Sequence, residues 1–337
     1  RWLVPLTGLP KSAFGVFTPG GTSANLSALV TARAKWREDD PTREKDRGVI
    51  VTSSEAHSSV KAMAKVMDAD VIRIEVNDRF EATQLARDLA DLSPDLEKRI
   101  FAVVATAGTT NAGVVDDLKG LGTICRDNGI WYHIDAAYGG GALAASSVRH
   151  LFDGIELADS ITIDPHKWLF SPYDCGAVLY REPERARQVH SQSASYLDIL
   201  HEDEVDGFNP ADYQIQLTRR VRGLPLWFSL AMHGTDRYRQ AIERGIELAR
   251  IAGQMISESR HTELVRPPSL SCVLFRRIGW SPDDYKRWTF ENHRKGFALV
   301  APTKCRVKDG YETVARFCFI NPDTTEEDIS NILKTMR

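Results

Sequence analysis

Lys167 sits in Asp164-Pro165-His166-Lys167-Trp168-Leu169-Phe170, directly after a β-branched run and among apolar neighbours. Most lysines are solvated surface charges. An apolar setting disfavours the ammonium, and the neutral amine is the nucleophile that condenses with an aldehyde to a Schiff base. Asp135 closes the run His133-Ile134-Asp135 and is followed by Ala136-Ala137-Tyr138-Gly139-Gly140-Gly141. It reads either as a helix N-cap or as the partner of a protonated ring nitrogen, with Ala137 and its small neighbours leaving room for a flat ligand. Gly20-Gly21-Thr22-Ser23 opens a helix-forming run. Backbone N–H groups and the helix dipole there favour a phosphate, although the same residues make an ordinary turn and cap. His57, in Ala56-His57-Ser58-Ser59, is a satisfied loop histidine or an imidazole stacked on that ring. Thr106 is a turn hydroxyl or a polar contact to the ring substituents or a carboxylate. His166 offers a hydrogen bond to the phosphate or the substrate. Singly, each residue has an ordinary reading at least as good as its chemical one.

The elements that carry these residues sharpen the choice. Val49 to Thr52, Val71 to Ile74, Phe101 to Thr106, Trp131 to Asp135, Ser160 to Asp164 and Ala177 to Tyr180 read as short strands. Helical stretches fall between several of them, at 24–36, 58–67, 82–90 and 117–128. Strands alternating with helices imply βαβ crossovers and a largely parallel sheet. Ligands of such sheets sit beyond the carboxyl ends of the strands. His57, Thr106, Asp135 and His166-Lys167 all fall at those ends, and packing alone gives no reason for that. From about Asp212 the chain turns helical to Ser257, and a small α+β unit follows, with Pro267-Pro268 marking a turn near its start. The expected division is a large domain at 1–235 and a small one at 236–337.

The 337 residues are 42% hydrophobic and 26% charged, which fits a folded chain of about two domains. Net charge is −3, so no basic field points to nucleic acid or an anionic membrane. The five cysteines form no CxxC pair, so neither a disulfide framework nor a metal site is expected, and a reducing, cytoplasmic setting is. No apolar stretch is long enough to span a bilayer. The opening Arg1-Trp2-Leu3-Val4-Pro5 lacks signal-peptide organisation and an initiator Met, and reads as part of a longer protein.

In this order along the chain, the phosphate loop, the histidine, the threonine, the aspartate and His-Lys-Trp resemble the group II pyridoxal-phosphate-dependent amino-acid decarboxylases. His133-Ile134-Asp135-Ala136-Ala137-Tyr138 and Asp164-Pro165-His166-Lys167-Trp168 come nearest to the aromatic L-amino-acid branch. The resemblance implies an α/β fold of fold type I, the aspartate aminotransferase fold, with a mainly parallel sheet and a smaller C-terminal α+β domain. It implies pyridoxal 5'-phosphate as cofactor, an amino-acid substrate, and a homodimer with its active site at the interface. Lys167 would anchor the cofactor, Asp135 would partner the pyridine nitrogen and His57 would stack on the ring. Gly21, Thr22 and His166 would lie near the phosphate, with Thr106 and Ala137 near the ring. Tyr196 would belong to a loop, continued by the acidic stretch His201 to Gly207, and would protonate the substrate carbon.

Two departures stand out. Many aromatic-branch members have Asn where this chain has Asp164, and an ionised carboxylate beside a phosphate is repelled. Asp164 is therefore expected to cap backbone groups, or to be reached only through its neighbours. The chain also begins where the family's N-terminal segment ends, a segment that helps to build the dimer interface and the substrate pocket. Competing readings are an aromatic acetaldehyde synthase, another fold type I carbon–carbon lyase and a non-catalytic fragment that binds the cofactor. Together, His57 and Tyr196 favour plain decarboxylation over the first. The His-Lys-Trp context opposes the second, and the intact His57, Asp135 and Lys167 oppose the third.

Overall fold

The apolar runs pair into two sheets in the computed structural model, which describes residues 2–192, 208–307 and 310–336. The first part of the chain runs α1 (Leu3–Thr7), β1 (Phe14–Thr18), α2 (Gly21–Asp39), β2 (Val49–Ser53), α3 (Ser58–Val66) and β3 (Asp70–Ile74). Next come α4 (Ala82–Ala90), α5 (Pro94–Lys98), β4 (Ile100–Thr106), α6 (Leu118–Asp127) and β5 (Trp131–Asp135). β6 (Ser160–Ile163), α7 (Pro165–Trp168), β7 (Gly176–Tyr180) and α8 (Pro183–His190) complete the large unit.

Its seven strands are ordered β1-β7-β6-β5-β4-β2-β3. β6, β5, β4, β2 and β3 pair in parallel, whereas β7 runs antiparallel to both its neighbours. β2, β4, β5, β6 and β7 are buried along their whole length, as near-continuous Val, Ile and Ala runs covered on both faces demand. One face packs Val51, Val103, Ile134 and Ile161 against α6 and the turns after β5. The other packs Ile50, Val104, Trp131 and Val178 against α2 and α3. β1 escapes a reading by β-branched content, because Gly15 interrupts it and Pro19-Gly20 follows it. Gly15 is needed there: a Cβ would lie 2.1 Å from the carbonyl oxygen of Val178 on β7.

α9 (Gly223–Glu258) follows, with a break in helical geometry at Gly234, where φ is 74°. It contributes Leu226, Tyr238, Ile242 and Ile246 to the large core, and Leu248, Ala249, Ala252 and Ile256 to the small one. The small unit adds β8 (Thr262–Leu264), β9 (Cys272–Arg277), α10 (Pro282–Arg294), β10 (Pro302–Val307), β11 (Gly310–Cys318) and α11 (Glu326–Lys334). Its sheet is antiparallel throughout, in the order β10-β11-β9-β8. Among the described residues, no helix is long and apolar enough to cross a membrane.

Candidate active site

The carboxyl ends of β4, β5 and β6 lie side by side, with Thr106 in register with Asp135 and Asp135 with Thr162. Alternation along β5 decides what faces what. Tyr132 and Ile134 point to the α6 side, where the Tyr132 hydroxyl donates to the Leu118 carbonyl at 2.9 Å. His133 and Asp135 share the opposite face, against α2. The side chain that meets them is Asn25, one turn into α2 and 1% exposed.

Asp135 is itself 5% exposed, and both its oxygens are engaged. Oδ1 accepts the backbone N–H of Ala137 at 3.0 Å, a local turn contact. Oδ2 accepts Asn25 Nδ2 at 2.9 Å. Asn25 Oδ1 lies 3.0 Å from His133 Nε2, and His133 Nδ1 lies 2.8 Å from the Ser160 hydroxyl. Burial drives the His133 imidazole down to about 4, against the upward pull of Asp135, so the ring is neutral at pH 7.

Lys167 departs from its expected setting. Trp168 and Leu169 are fully buried, but the Lys167 side chain is 38% exposed and turns into a cavity. α7 is only four residues long, so neighbours that fill the core do not carry the lysine in with them. Its Nζ lies 3.0 Å from Asp164 Oδ2, and His166 Nε2 lies 3.5 Å from the same oxygen. Asp164 does occupy the N-cap position of α7, but its side chain caps nothing, which corrects the expectation that it serves backbone groups. Burial works to raise its carboxyl, yet the hydrogen bonds and charges of His166 and Lys167 outweigh burial and lower it. His166 Nδ1 accepts the backbone N–H of Cys175 at 2.9 Å, which leaves Nε2 as the donor towards Asp164.

A cavity of about 380 Å³ opens above these groups, within the range of small-molecule sites. It brings together Gly21, Thr22, His57, Thr106, Asp135, Ala137, His166 and Lys167, along with Asn25, Ser59, Thr110, Tyr138 and Asp164. α2 begins at its edge with no side-chain cap. A Cβ at Gly21 would lie 2.9 Å from Asp164 Oδ2 and 3.3 Å from the Ala137 Cβ, so any larger residue there would crowd both side chains. His57 caps α3, its Nδ1 accepting the Ser59 backbone N–H at 3.2 Å. Thr106 is held from behind by Asp116, whose Oδ2 accepts the Thr106 N–H at 2.7 Å. Burial pushes the Asp116 carboxyl up to about 7 against that bond and the Phe80 N–H.

The family model of the pyridoxal-dependent decarboxylase conserved domain matches residues 1–278. The chain belongs to the pyridoxal-dependent decarboxylase family. It is a pyridoxal-phosphate-dependent amino-acid decarboxylase, a carboxy-lyase. The decarboxylase is 35% identical to the aromatic-L-amino-acid decarboxylase of Bacillus atrophaeus, over 100% of this chain and 71% of that one. It is 30% identical to the L-2,4-diaminobutyrate decarboxylase of Acinetobacter baumannii, over 98% and 69%. Among solved structures it matches Oryza sativa TDC with PLP and tryptamine at a TM-score of 0.87 and 25% identity, over 99% of this chain and 74% of that one. The two-sheet architecture is that of fold type I.

The cavity fits such a cofactor on its own terms. Thr106 Oγ1 is buried and lacks a hydrogen-bond partner among the described residues. Buried orphans of this kind call for a polar ligand or water. The uncapped start of α2 offers N–H groups to an anion, and Lys167 offers an amine.

Tyr196 and the stretch from His201 to Gly207 lie outside the described residues. Sequence reading passed over Asn25, Ser59, His133 and Asp116 as site residues. Asn25 did carry a signal: it lies four residues after Gly21, on the same helix face, between Ala24 and Leu26. A buried amide must find partners, and a polar pocket is where it finds them.

Proposed function

We propose that this decarboxylase converts an aromatic L-amino acid to its amine and carbon dioxide. The observation that carries the reading is one cavity at the carboxyl edge of the sheet, in which the Lys167 amine, the Asp135 carboxylate and the start of α2 converge. Bound there, pyridoxal phosphate supplies the sink for the electron pair released when the Cα–carboxylate bond breaks. Lys167 is the covalent anchor. The N–H groups of Gly21 and Thr22 hold the phosphate, helped by His166. Asp135 would keep a proton on the ring nitrogen, His57 would stack on the ring, and Thr106 and Ala137 would lie near it. Tyr196 delivers the proton to Cα. The aromatic assignment is supported by the segments 133–138 and 164–168 and by the match at 35% identity over the whole of this chain.

A homodimer with shared sites, in a reducing, cytoplasmic compartment, completes the reading. Leu224, Trp227, Phe228 and Met232 follow helical spacing along α9 and are 44–78% exposed. A stripe of that kind is a surface made for a partner, and a second copy supplies the same stripe. All five cysteines are free thiols, as a reducing compartment allows.

The deciding experiment loads the protein with pyridoxal phosphate and measures carbon dioxide release from a panel of L-amino acids. Release is expected with aromatic substrates, and borohydride fixes the cofactor on Lys167, read by peptide mass. Release from L-2,4-diaminobutyrate alone moves the substrate class, and none from any amino acid overturns the reading. In the presence of dioxygen as oxidant, the Tyr196→Phe variant is expected to form the aldehyde with ammonia and hydrogen peroxide in place of amine.

A further inference from the structure

One set of hydrogen bonds runs from the core to the cavity in a single direction. An indole N–H can only donate and a carboxylate can only accept, and these two ends order everything between them. Trp131 Nε1 donates to Ser160 Oγ at 2.8 Å. At the other end, Asp135 Oδ2 requires Asn25 to present its Nδ2, at 2.9 Å, so Asn25 Oδ1 faces His133 as an acceptor. His133 Nε2 therefore carries the ring proton and donates. Its neutral ring accepts at Nδ1, and the Ser160 hydroxyl fills that place at 2.8 Å. The second hydrogen of Asn25 Nδ2 goes to Ser59 Oγ at 3.1 Å. That leaves the Ser59 hydroxyl to donate to His57 Nδ1 at 2.9 Å.

We propose that Asn25 and His133 are positioning residues for the decarboxylation, holding the Asp135 carboxylate and, through Ser59, the His57 imidazole in fixed orientation towards the cofactor. Every polar atom of the Asn25 amide is used, so the amide cannot flip without setting its oxygen against a carboxylate. Donors aligned head to tail polarise one another and stiffen the chain. His57, accepting at Nδ1 from both the Ser59 hydroxyl and its backbone N–H, keeps its proton on Nε2. Asp135 and His57, which meet the cofactor at different places, are thus set by one amide. This rests on the roles given above to Asp135 and His57.

The test uses the loaded full-length enzyme and three variants. Asn25→Asp keeps the shape of the side chain and sets an acceptor against Asp135. His133→Phe keeps the ring and removes the donor, whereas His133→Gln returns an N–H near the position of Nε2. Three readouts are compared: cofactor dissociation constant, circular dichroism of the bound cofactor, and kcat beside KM. Asn25→Asp is expected to weaken cofactor binding about tenfold and to lower kcat about a hundredfold, with KM moving less than about threefold. The cofactor circular dichroism changes with it. His133→Phe moves every readout the same way by a smaller factor, and His133→Gln returns them to within about threefold of the parent. Asn25→Asp and His133→Phe within about twofold of the parent on every readout would overturn the proposal. Equal losses in His133→Phe and His133→Gln overturn it too, because packing and not the donor would then matter. The histidine pair decides the question even if Asn25→Asp does not fold. A parent that fails to fix cofactor on Lys167 instead sinks the reading on which the proposal stands.

Discussion

The two sides of the cavity are finished to different degrees. On the Asp135 side, each carboxylate oxygen and each polar atom of Asn25 and His133 has a partner within the chain. On the Lys167 side, Asp164 Oδ1 is buried without a partner among the described residues, and the lysine is 38% exposed. A satisfied network in a low-dielectric interior is rigid, and an unsatisfied one is costly until something fills it. The Asp135 side is therefore built in advance, and the Lys167 side is completed by what binds.

The largest effect expected from this contrast is at the open side. Lys167→Ala removes the only amine placed in the cavity among the described residues, and kcat is expected to fall by about a thousandfold or more. Borohydride then fixes no cofactor on the protein. Asp135→Asn comes next. It keeps the side chain's size, deletes the charge and sets an amide NH2 against either the Ala137 N–H or Asn25 Nδ2, so kcat is expected to drop about a hundredfold and the melting temperature to fall by several degrees. If Asp135→Asn instead unfolds the protein and leaves the activity of what remains folded intact, the built side is scaffold and the comparison breaks.

Asp164 sharpens the comparison from the other direction. Its carboxylate lies at the glycine loop proposed to take the phosphate, and at 3.0 Å from Lys167 Nζ. Asp164→Asn removes a negative charge that opposes the phosphate and keeps a hydrogen-bonding side chain of the same size. Cofactor affinity is expected to rise about tenfold, measured as the dissociation constant by fluorescence titration. An unchanged or weaker affinity would mean that the Lys167 ion pair matters more than the phosphate, and that the open side was already organised by the chain.

Most of the fold could be read from the sequence because buried parallel strands are simple text. β2, β4, β5 and β6 are β-branched runs with helices between them, and each was located to within about a residue. β1 was not, since Gly15 serves a close approach to β7 that no local pattern encodes. The Asp135 and Lys167 segments could be read because their residue types are unusual at strand ends. Asn25 and Asp116 could not. Their partners lie 110 and 10 residues away in the chain, and only the crossing of α2 over β5, or the turn after β4, brings them together. The setting of Lys167 was misread for a related reason. Apolar neighbours in sequence foretell burial on a long helix or strand, but α7 is a single turn whose residues point in different directions.

The smallest expected effect belongs to the built side and depends on pH. His133 is held neutral by burial, with its folded value lowered from 6.5 to about 4. A group with a depressed value binds fewer protons folded than unfolded across that window, so its contribution is complete above about pH 6.5 and fades as pH falls towards 4. At most about 3 kcal/mol is involved. The melting temperature of the wild-type enzyme should therefore fall between pH 6.5 and 4.5 by several degrees more than that of His133→Gln, which has nothing there to protonate. Asp116 works the opposite way. Its raised value makes the folded state bind more protons between 3.8 and about 7, so its contribution declines as pH rises through that range. The parent curve alone therefore mixes the two slopes, whereas the difference between parent and His133→Gln isolates the histidine. A difference that stays flat across the window would mean that His133 is charged within the network, and that the fully paired side of the cavity is less fixed than its geometry implies.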